Sequence, residues 1–495
     1  IKNVSNIDNK EFENIKKNRN ETKYDLIDLK YENNEIPYDS NKNVYYISKC
    51  DGKEDFDIFY NKNTIVKSVA NISENRIKLI AYNKNKYKIY NICLTYFPII
   101  NIELYYNDGK KELISNNYTY GDISIFDNKT NKMELNFIKR KAKFKIRGLS
   151  SSYYDKKSYS IKFIDPKTGD DIIINNFLGF NGNKIFALNS LYEDNSKIRD
   201  MLSLESWKHI NKKNNNNIDM NYVELFINDR YYGLYGLGEV INEYTLNIKQ
   251  ENDFIYKISD HRVPLISSFN DDYTKNGGIE IVYPKDVNKT NWEPLKNFID
   301  IVYYSDDERF NKNILEYINI DNCVDYFILS ELIYNIDGTW KNTVLSYDYN
   351  SNKLTKIPWD LDLTWGAHWD DNSKLWVNYN IKYSNNLLCQ DKSSFLKIYL
   401  EKRLWENNVG NFRSKVAQKW KVLRKEFLET ESLVNYANKL YDEVTESGAR
   451  EREHERWPDG GYSTDNKFIE IFIRQRLEYL DGEFLKYLDD DTGGN

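Results

Sequence analysis

No stretch of about 18 consecutive apolar residues occurs in these 495 residues, which excludes a membrane-spanning helix of ordinary length. A basic excess is missing as well. The net charge is −6 and the pI is about 5.6, which argues against a broad surface for nucleic acid and leaves only local basic strips. Cysteine is scarce: Cys50, Cys93, Cys323 and Cys389 lack metal-type spacing and are compatible with none, one or two disulfides, or with buried thiols. The sequence starts at Ile1 with no initiator Met and shows no hydrophobic targeting segment, which would fit a processed or trimmed chain. Sequons stand at Asn3, Asn20, Asn71, Asn117, Asn128 and Asn288, but a chain this rich in Asn gives about seven by chance, so they carry little weight for secretion.

What is present is a soluble globular composition, 40% apolar and 29% charged, with a change of texture along the chain. Residues 1 to about 42 are polar and read as an extended or poorly ordered arm. From "NVYYISKC" to "IFALNS" short β-rich segments alternate with Asn and Gly turns. A helix is expected in "NSKIRDMLSLESWKHI", and a β pair, "NYVELFIND" and "YYGLYGLGE", turns through Asn228 and Asp229. After about residue 290 helices dominate, beginning with "NCVDYFILSELIYN", which sets Val324, Phe327, Ile328 and Leu332 on one face. Amphipathic patterns follow in "SSFLKIYLEKRLWENN", "FRSKVAQKWKVLRKEFLE" and "NKFIEIFIRQRLEYLDGEFLKYL", and "DDDTGGN" is a loose tail. The expected class is α+β, with a β-rich front half and a helical back half.

The segment "YNIDGTWKNTVLSYDYNSNKLTKIPWDLDLTWG", residues 334–366, carries two acidic clusters around a hairpin pattern. A turn centred on Ser351 makes partner numbers sum to 702, so that Leu345 faces Ile357 and Asn342 faces Asp360. That register gathers Asp337, Asn342 and Asp360 at one end, as hard oxygen ligands for Mg²⁺, and favours Asp360 over Asp362 as ligand. The bland alternative is that these residues only cap a helix and a turn. The order of Asp, Asn five residues later, hairpin and second acidic motif is the one protein kinases use.

Five motifs in order, "KIRGLSSSYYDKKSYSIKF", "DNSKIRD", "YVELFINDRYYGLYGLGEVIN", "YNIDGTWKN" and "PWDLDLTWG", resemble the spore-coat protein H (CotH) kinase family. The resemblance runs over residues 95–370 and implies an atypical, two-lobed protein-kinase-like fold. It implies residues 1–94 as an arm and β-rich extension, 95–400 as the catalytic domain and 401–490 as a helical part packed on it. Asp337 resembles the catalytic base, Asn342 and Asp360 ligands of Mg²⁺ or Mn²⁺, and Asp362 the second acid of the same motif. "RGLSS" resembles a loop covering the phosphates of ATP through Ser150, Ser151 and backbone N–H groups.

Lys157 and Lys162 are both open as the phosphate-pairing lysine, with Glu205 a possible acidic partner. Lys143, Lys145 and Arg147 alternate onto one strand face that is either a phosphate strip or a solvated face. Glu239 is placed to accept a ribose hydroxyl, Lys341 to touch the γ-phosphate, and Asp194 with Arg199 to hold a helix against the sheet. Gly233, Gly236 and Gly238 lie in a strand pattern and read as packing positions. No His-Arg pair precedes Asp337 and D-F-G is replaced by "WDLDLTWG", so control through an ordered activation loop is not expected. The implied activity is Mg-ATP-dependent phosphorylation of Ser or Thr on a secreted or surface protein, such as a coat or extracellular-complex component. The alternatives are adenylyl transfer on the same fold, a non-catalytic surface ligand or scaffold, and carbohydrate binding.

Overall fold

The computed structural model describes residues 4–488 except 32–33, 49–56, 70–74, 108–109, 112–113, 128–136, 149, 176, 181, 213–216, 249, 261, 264, 272, 290, 371–374, 378–380 and 391–399. Cys50 and the acidic tail 489–495 therefore lie outside the described residues. The chain forms two compact units: residues 1–192, 221–238 and 443–460 make the first, and residues 193–220, 239–442 and 461–495 the second. It is mixed α+β, with strands concentrated toward the front and helices toward the back.

The first unit opens on structure where the sequence reads as an arm. Residues 5–7 pair with 65–69, residues 20–21 pair with 86–95, and Asn9–Lys17 is a helix whose N-cap Asp8 accepts the Glu11 N–H at 2.8 Å. The segment is polar overall, but Ile7, Phe12 and Ile15 are spaced to bury one face against Val69, Ile80 and Tyr87. That small apolar set is enough to order it. The N-terminal sheet runs in the order 5–7, 65–69, 76–82, 86–95, 44–48, 38–39.

Behind it stands a closed seven-stranded barrel of β1 (Ile99–Leu104), β2 (Thr119–Phe126), β3 (Phe137–Arg147), β4 (Ser158–Phe163), β5 (Phe186–Asn189), β6 (Met220–Ile227) and β7 (Tyr231–Glu239). The order is β1-β2-β3-β4-β5-β7-β6, and β6 closes on β1 in parallel. Alternation explains the walls: Ala142 and Phe144 of β3 with Tyr159, Ile161 and Phe163 of β4 fill the barrel, while the residues between them face away. The β6–β7 connection is as expected, with Asn228 and Asp229 both at positive φ.

A helix near the C-terminus, Ala449–Arg456, completes this unit. Its Arg452 pairs with Glu224 at 2.5 Å and its Glu453 with Lys156 at 2.7 Å, all four side chains being buried. Lys156 also donates to the carbonyls of Ser190 and Leu234. Gly233 has φ +108, and a Cβ there would meet the Glu453 carboxylate at 2.1 Å, so its reading as a packing position is correct.

The second unit holds a five-stranded sheet of β8 (Phe254–Ile258), β9 (Lys275–Asn276), β10 (Ile279–Tyr283), β11 (Thr343–Asp348) and β12 (Lys353–Pro358), in the order β9-β10-β8-β11-β12. Helix α1 (Arg199–Ile210) is where the sequence places it. Helix α2 (Ile320–Ile333) is buried from Asn322 to Ile333, not on one face only, because its apolar residues continue all round. Helices 400–407, 412–423 and 467–484 lie in the expected amphipathic segments, and 430–446 is a further one. Phe327, Trp405, Phe412, Trp420 and Phe484 form an aromatic core among them. Cys93, Cys323 and Cys389 are buried free thiols. No helix among the described residues is long and apolar enough to cross a membrane.

Candidate functional site

Helix α2 starts at Asn319, whose side chain accepts the Asn322 N–H, and stops at Tyr334 in the left-handed conformation. The chain then turns through a short 3-10 segment, Asp337–Thr339. Asn335 shapes this turn: it is buried, its Oδ1 accepts the Gly338 N–H at 3.0 Å, and a Cβ on Gly338 would meet its amide nitrogen at 2.0 Å. The hydroxyl of Tyr326 donates to the Gly338 carbonyl at 2.6 Å, and that of Thr343 does so at 3.2 Å. Asp337 is thus held on a rigid turn with its carboxylate partly exposed, and Lys341 Nζ lies 3.1 Å from its Oδ2. Asn342 follows at φ +56, largely buried, its N–H bonded to the Ile258 carbonyl at 3.0 Å.

The hairpin differs from the expected register by one residue. Thr343 pairs with Pro358 and Val344 with Ile357, so that partner numbers sum to 701. The closing pair is Asp348 and Lys353 around a four-residue loop. Asp348 Oδ1 accepts N–H groups of Asn350 and Ser351 at 2.8 and 3.1 Å, and Asn352 supplies a positive φ. A one-residue slip turns each side chain to the other face. Asn342 and Asp360 both lie just beyond the ladder, at its same end, and are not cross-strand partners. The register therefore gives no reason to rank Asp360 above Asp362.

Another set of residues positions the acidic motif. Asp360 and Trp365 have positive φ, costly backbone states held by surrounding bonds, and Gly366, free of that cost, follows with φ +86. The Asp200 carboxylate accepts the Leu361 N–H at 3.0 Å, and the Arg199 guanidinium donates to the Thr364 carbonyl at 2.9 Å. Trp365 donates its ring N–H to Ser203 at 2.9 Å and its backbone N–H to the Ile333 carbonyl at 2.8 Å. Arg199 is in turn paired with Asp194, both fully buried. The Asp194 and Arg199 element thus holds the acidic loop, where the sequence reading has it holding helix to sheet.

Asp360 is exposed and Asp362 keeps some surface, although protein surrounds it densely. Burial first, then the carboxylates of Asp360, Asp200, Asp194 and Glu193, push the Asp362 carboxyl well above the ordinary carboxylate range. Among the described residues no three His, Cys, Asp or Glu side chains already stand in a metal-ligating arrangement. Mg²⁺ does not need three, since it is commonly held by one or two carboxylates with waters and phosphate oxygens. A divalent cation at Asp362 and Asp360 would relieve the crowding of negative charge, so the residues present fit it.

Glu239 stands apart, next to Asp219, whose N–H approaches its carboxylate at 3.4 Å. Burial, reinforced by the Asp219 charge, pushes its pKa up to about 7. Glu205 pairs along its own helix, with Lys208 at 3.5 Å and His209 at 3.3 Å.

In the first unit, Gly148 has φ +99, and a Cβ there would lie 1.9 Å from the Ser151 hydroxyl, so only glycine permits this loop to close. Residues 150–153 form one 3-10 turn; Leu149 and the side chain of Ser150 are outside the described residues. Arg147 ends β3 on its outward face. Lys157 donates to the Tyr154 carbonyl, and Lys162 is paired with Asp171 at 2.6 Å on the outside of the barrel. Of Lys156, Lys157 and Lys162, the one with a buried carboxylate partner is Lys156, which the sequence gives no reason to prefer, and Glu453 lies 297 residues further on.

The model of the CotH kinase protein family matches residues 144–480. Inner spore coat protein H of Bacillus subtilis (strain 168) is 26% identical over 271 residues, which cover 53% of this chain and 69% of that protein. With most of its length matched by the family model, the chain belongs to the CotH kinase protein family.

Proposed function

We propose that this protein is an atypical protein kinase that transfers the γ-phosphate of Mg-ATP to Ser or Thr of a protein, on a kinase-like fold. The observation that carries the reading is the crowding of carboxylates around Asp362 on a loop locked by Arg199 and Asp200. Such a loop stores unbalanced negative charge that a metal-nucleotide complex would neutralise. Asp362, Asp360 and Asn342 hold the Mg²⁺ or Mn²⁺, which when bound neutralises phosphate charge. Asp337 orients the acceptor hydroxyl and takes its proton, and Lys341, now paired with it, is available to a phosphate oxygen. Arg147, Ser150, Ser151 and Lys157 are assigned to the nucleotide side, whereas Lys162, whose ammonium pairs with Asp171 outside the barrel, is left out of that set. The likeness to a spore coat protein favours a secreted or spore-surface location and a coat or extracellular-complex protein as acceptor.

Incubation with γ-labelled and α-labelled ATP in parallel tests the reading. Label from the γ position alone on protein is expected; label from the α position would make the reaction adenylyl transfer, and no label from either would leave a scaffold.

Glu239 as the ribose acceptor has its own signature. A carboxylate ionising at about 7 accepts the hydroxyl best when charged, so adenosine affinity should rise by up to about tenfold from pH 6 to pH 8. Adenosine avoids titration of the phosphates. Calorimetry at the two pH values should show the rise in the parent and none in Glu239→Gln; an equal rise in both removes Glu239 from the site.

A further inference from the structure

Strand β3 presents Lys139, Lys141, Lys143, Lys145 and Arg147 at every second position, on the side away from the barrel core. Lys162 of β4 is directly opposite Lys143. Like charges so placed oppose one another. They are gathered around one aromatic ring: the Nζ atoms of Lys143, Lys145 and Lys162 lie 5.0, 5.1 and 5.5 Å from the ring centroid of Tyr118. Asp171 meets Lys143 at 2.5 Å and Lys162 at 2.6 Å. One carboxylate thus answers three ammonium groups. A local charge of +2 stands in a chain whose net charge is −6.

We propose that this outward face of the barrel binds a phosphorylated Ser or Thr side chain on an extended protein segment, with Lys143, Lys145 and Lys162 around the phosphate and the Tyr118 hydroxyl donating to it. A phosphate monoester carries about −1.5 to −2 at neutral pH and offers three acceptor oxygens, matching the unanswered charge where a single carboxylate would not. The remaining cations, Lys141 and Lys139, repeat along β3 at about 6.6–6.8 Å, the spacing of alternate side chains in an extended chain. Lys141 is engaged with Tyr105 at 2.5 Å and Asp122 at 3.3 Å, so the phosphate belongs at Tyr118. That the phosphate bearer is a protein rests on the kinase reading: the product of that reaction is a phosphorylated segment, which this face would retain for further rounds.

The test uses the full chain without nucleotide, so that it stands whether or not label transfer is found. Fluorescence anisotropy would follow a labelled Gly/Ala/Asn peptide with one central phosphoserine, beside its serine and aspartate counterparts. Expected is at least tenfold tighter binding of the phosphopeptide than of either counterpart, a loss of about tenfold in Lys145→Gln, and less than twofold change in Lys139→Gln. Tyr118→Phe, which removes only the hydroxyl and leaves packing intact, should lose about threefold and serves if Lys145→Gln does not fold. Equal binding of the aspartate and phosphoserine peptides overturns the proposal, and so does equal loss in Lys139→Gln and Lys145→Gln, which would mean a diffuse positive field. Displacement of the phosphopeptide by ATP but not by inorganic phosphate at the same ionic strength would move the site to the nucleotide and overturn it too.

Discussion

Replacing Asp337 by Asn will lower phosphate transfer by about 10²-fold or more while leaving Mg-ATP affinity within a few fold. Asn has the size of Asp and keeps an oxygen toward Lys341, so the turn held by Asn335, Tyr326 and Thr343 should be undisturbed. What is lost is the ability to take the proton from an acceptor hydroxyl. Because that proton moves only during transfer, the loss falls on kcat and not on nucleotide binding. Calorimetry with Mg-ATP and initial rates with labelled ATP separate the two. Abolished nucleotide binding with Asp337→Asn would instead place Asp337 among the metal ligands, and unchanged transfer would remove it from the reaction.

Asp362→Asn should show the opposite pattern: the nucleotide-free protein is as stable as the parent or more so, and Mg-ATP affinity falls at least tenfold. The carboxyl of Asp362 is raised by burial and by four neighbouring carboxylates, so in the folded state its charge is disfavoured. A carboxyl raised on folding contributes most below its unfolded value near 4 and loses that contribution as pH climbs through its folded value. Relative to the Asn variant, the metal-free parent should therefore lose stability as pH rises above about 4. Denaturant titrations from pH 4 to pH 8, with and without Mg-ATP, give both readings. A destabilised Asp362→Asn that still binds Mg-ATP like the parent would refute the metal assignment. Asp360→Asn belongs in the same series, since the hairpin register no longer separates the two residues.

Much of this was legible along the chain because the signals were local. Alternation of lysines with Ala142 and Phe144 marks β3, Asn228 and Asp229 mark a tight turn, and a continuous apolar run marks α2. The candidate site residues fall on one short segment, 337–362, and could be proposed for the same reason. The register could not, because the choice between a turn centred on Ser351 and one centred between Asn350 and Ser351 depends on which N–H groups Asp348 captures. Closure of the barrel was equally hidden, since it depends on β6 returning beside β1 from about 120 residues away. Nor did the sequence single out Lys156 among its neighbouring lysines, because the carboxylate that buries it comes from Glu453. The charged string Ala449–Arg456, whose mean composition suggests an exposed helix, buries Arg450, Arg452 and Glu453 beside Ala449.

That helix sets the order in which the protein can be built. The first unit is made of three pieces of chain, and the last of them, residues 443–460, follows nearly the whole of the second unit. A nascent chain leaving the ribosome contains every strand segment of the barrel long before Arg452 and Glu453 exist to meet Glu224 and Lys156. Until then Glu224 and Lys156, both destined for the interior, lack their counter-charges, at a penalty of about 3–5 kcal/mol for each missing pair. The barrel must therefore wait, open to water or to a chaperone, for the C-terminal part of the chain. A fragment cut before residue 443 would never be released from that waiting state.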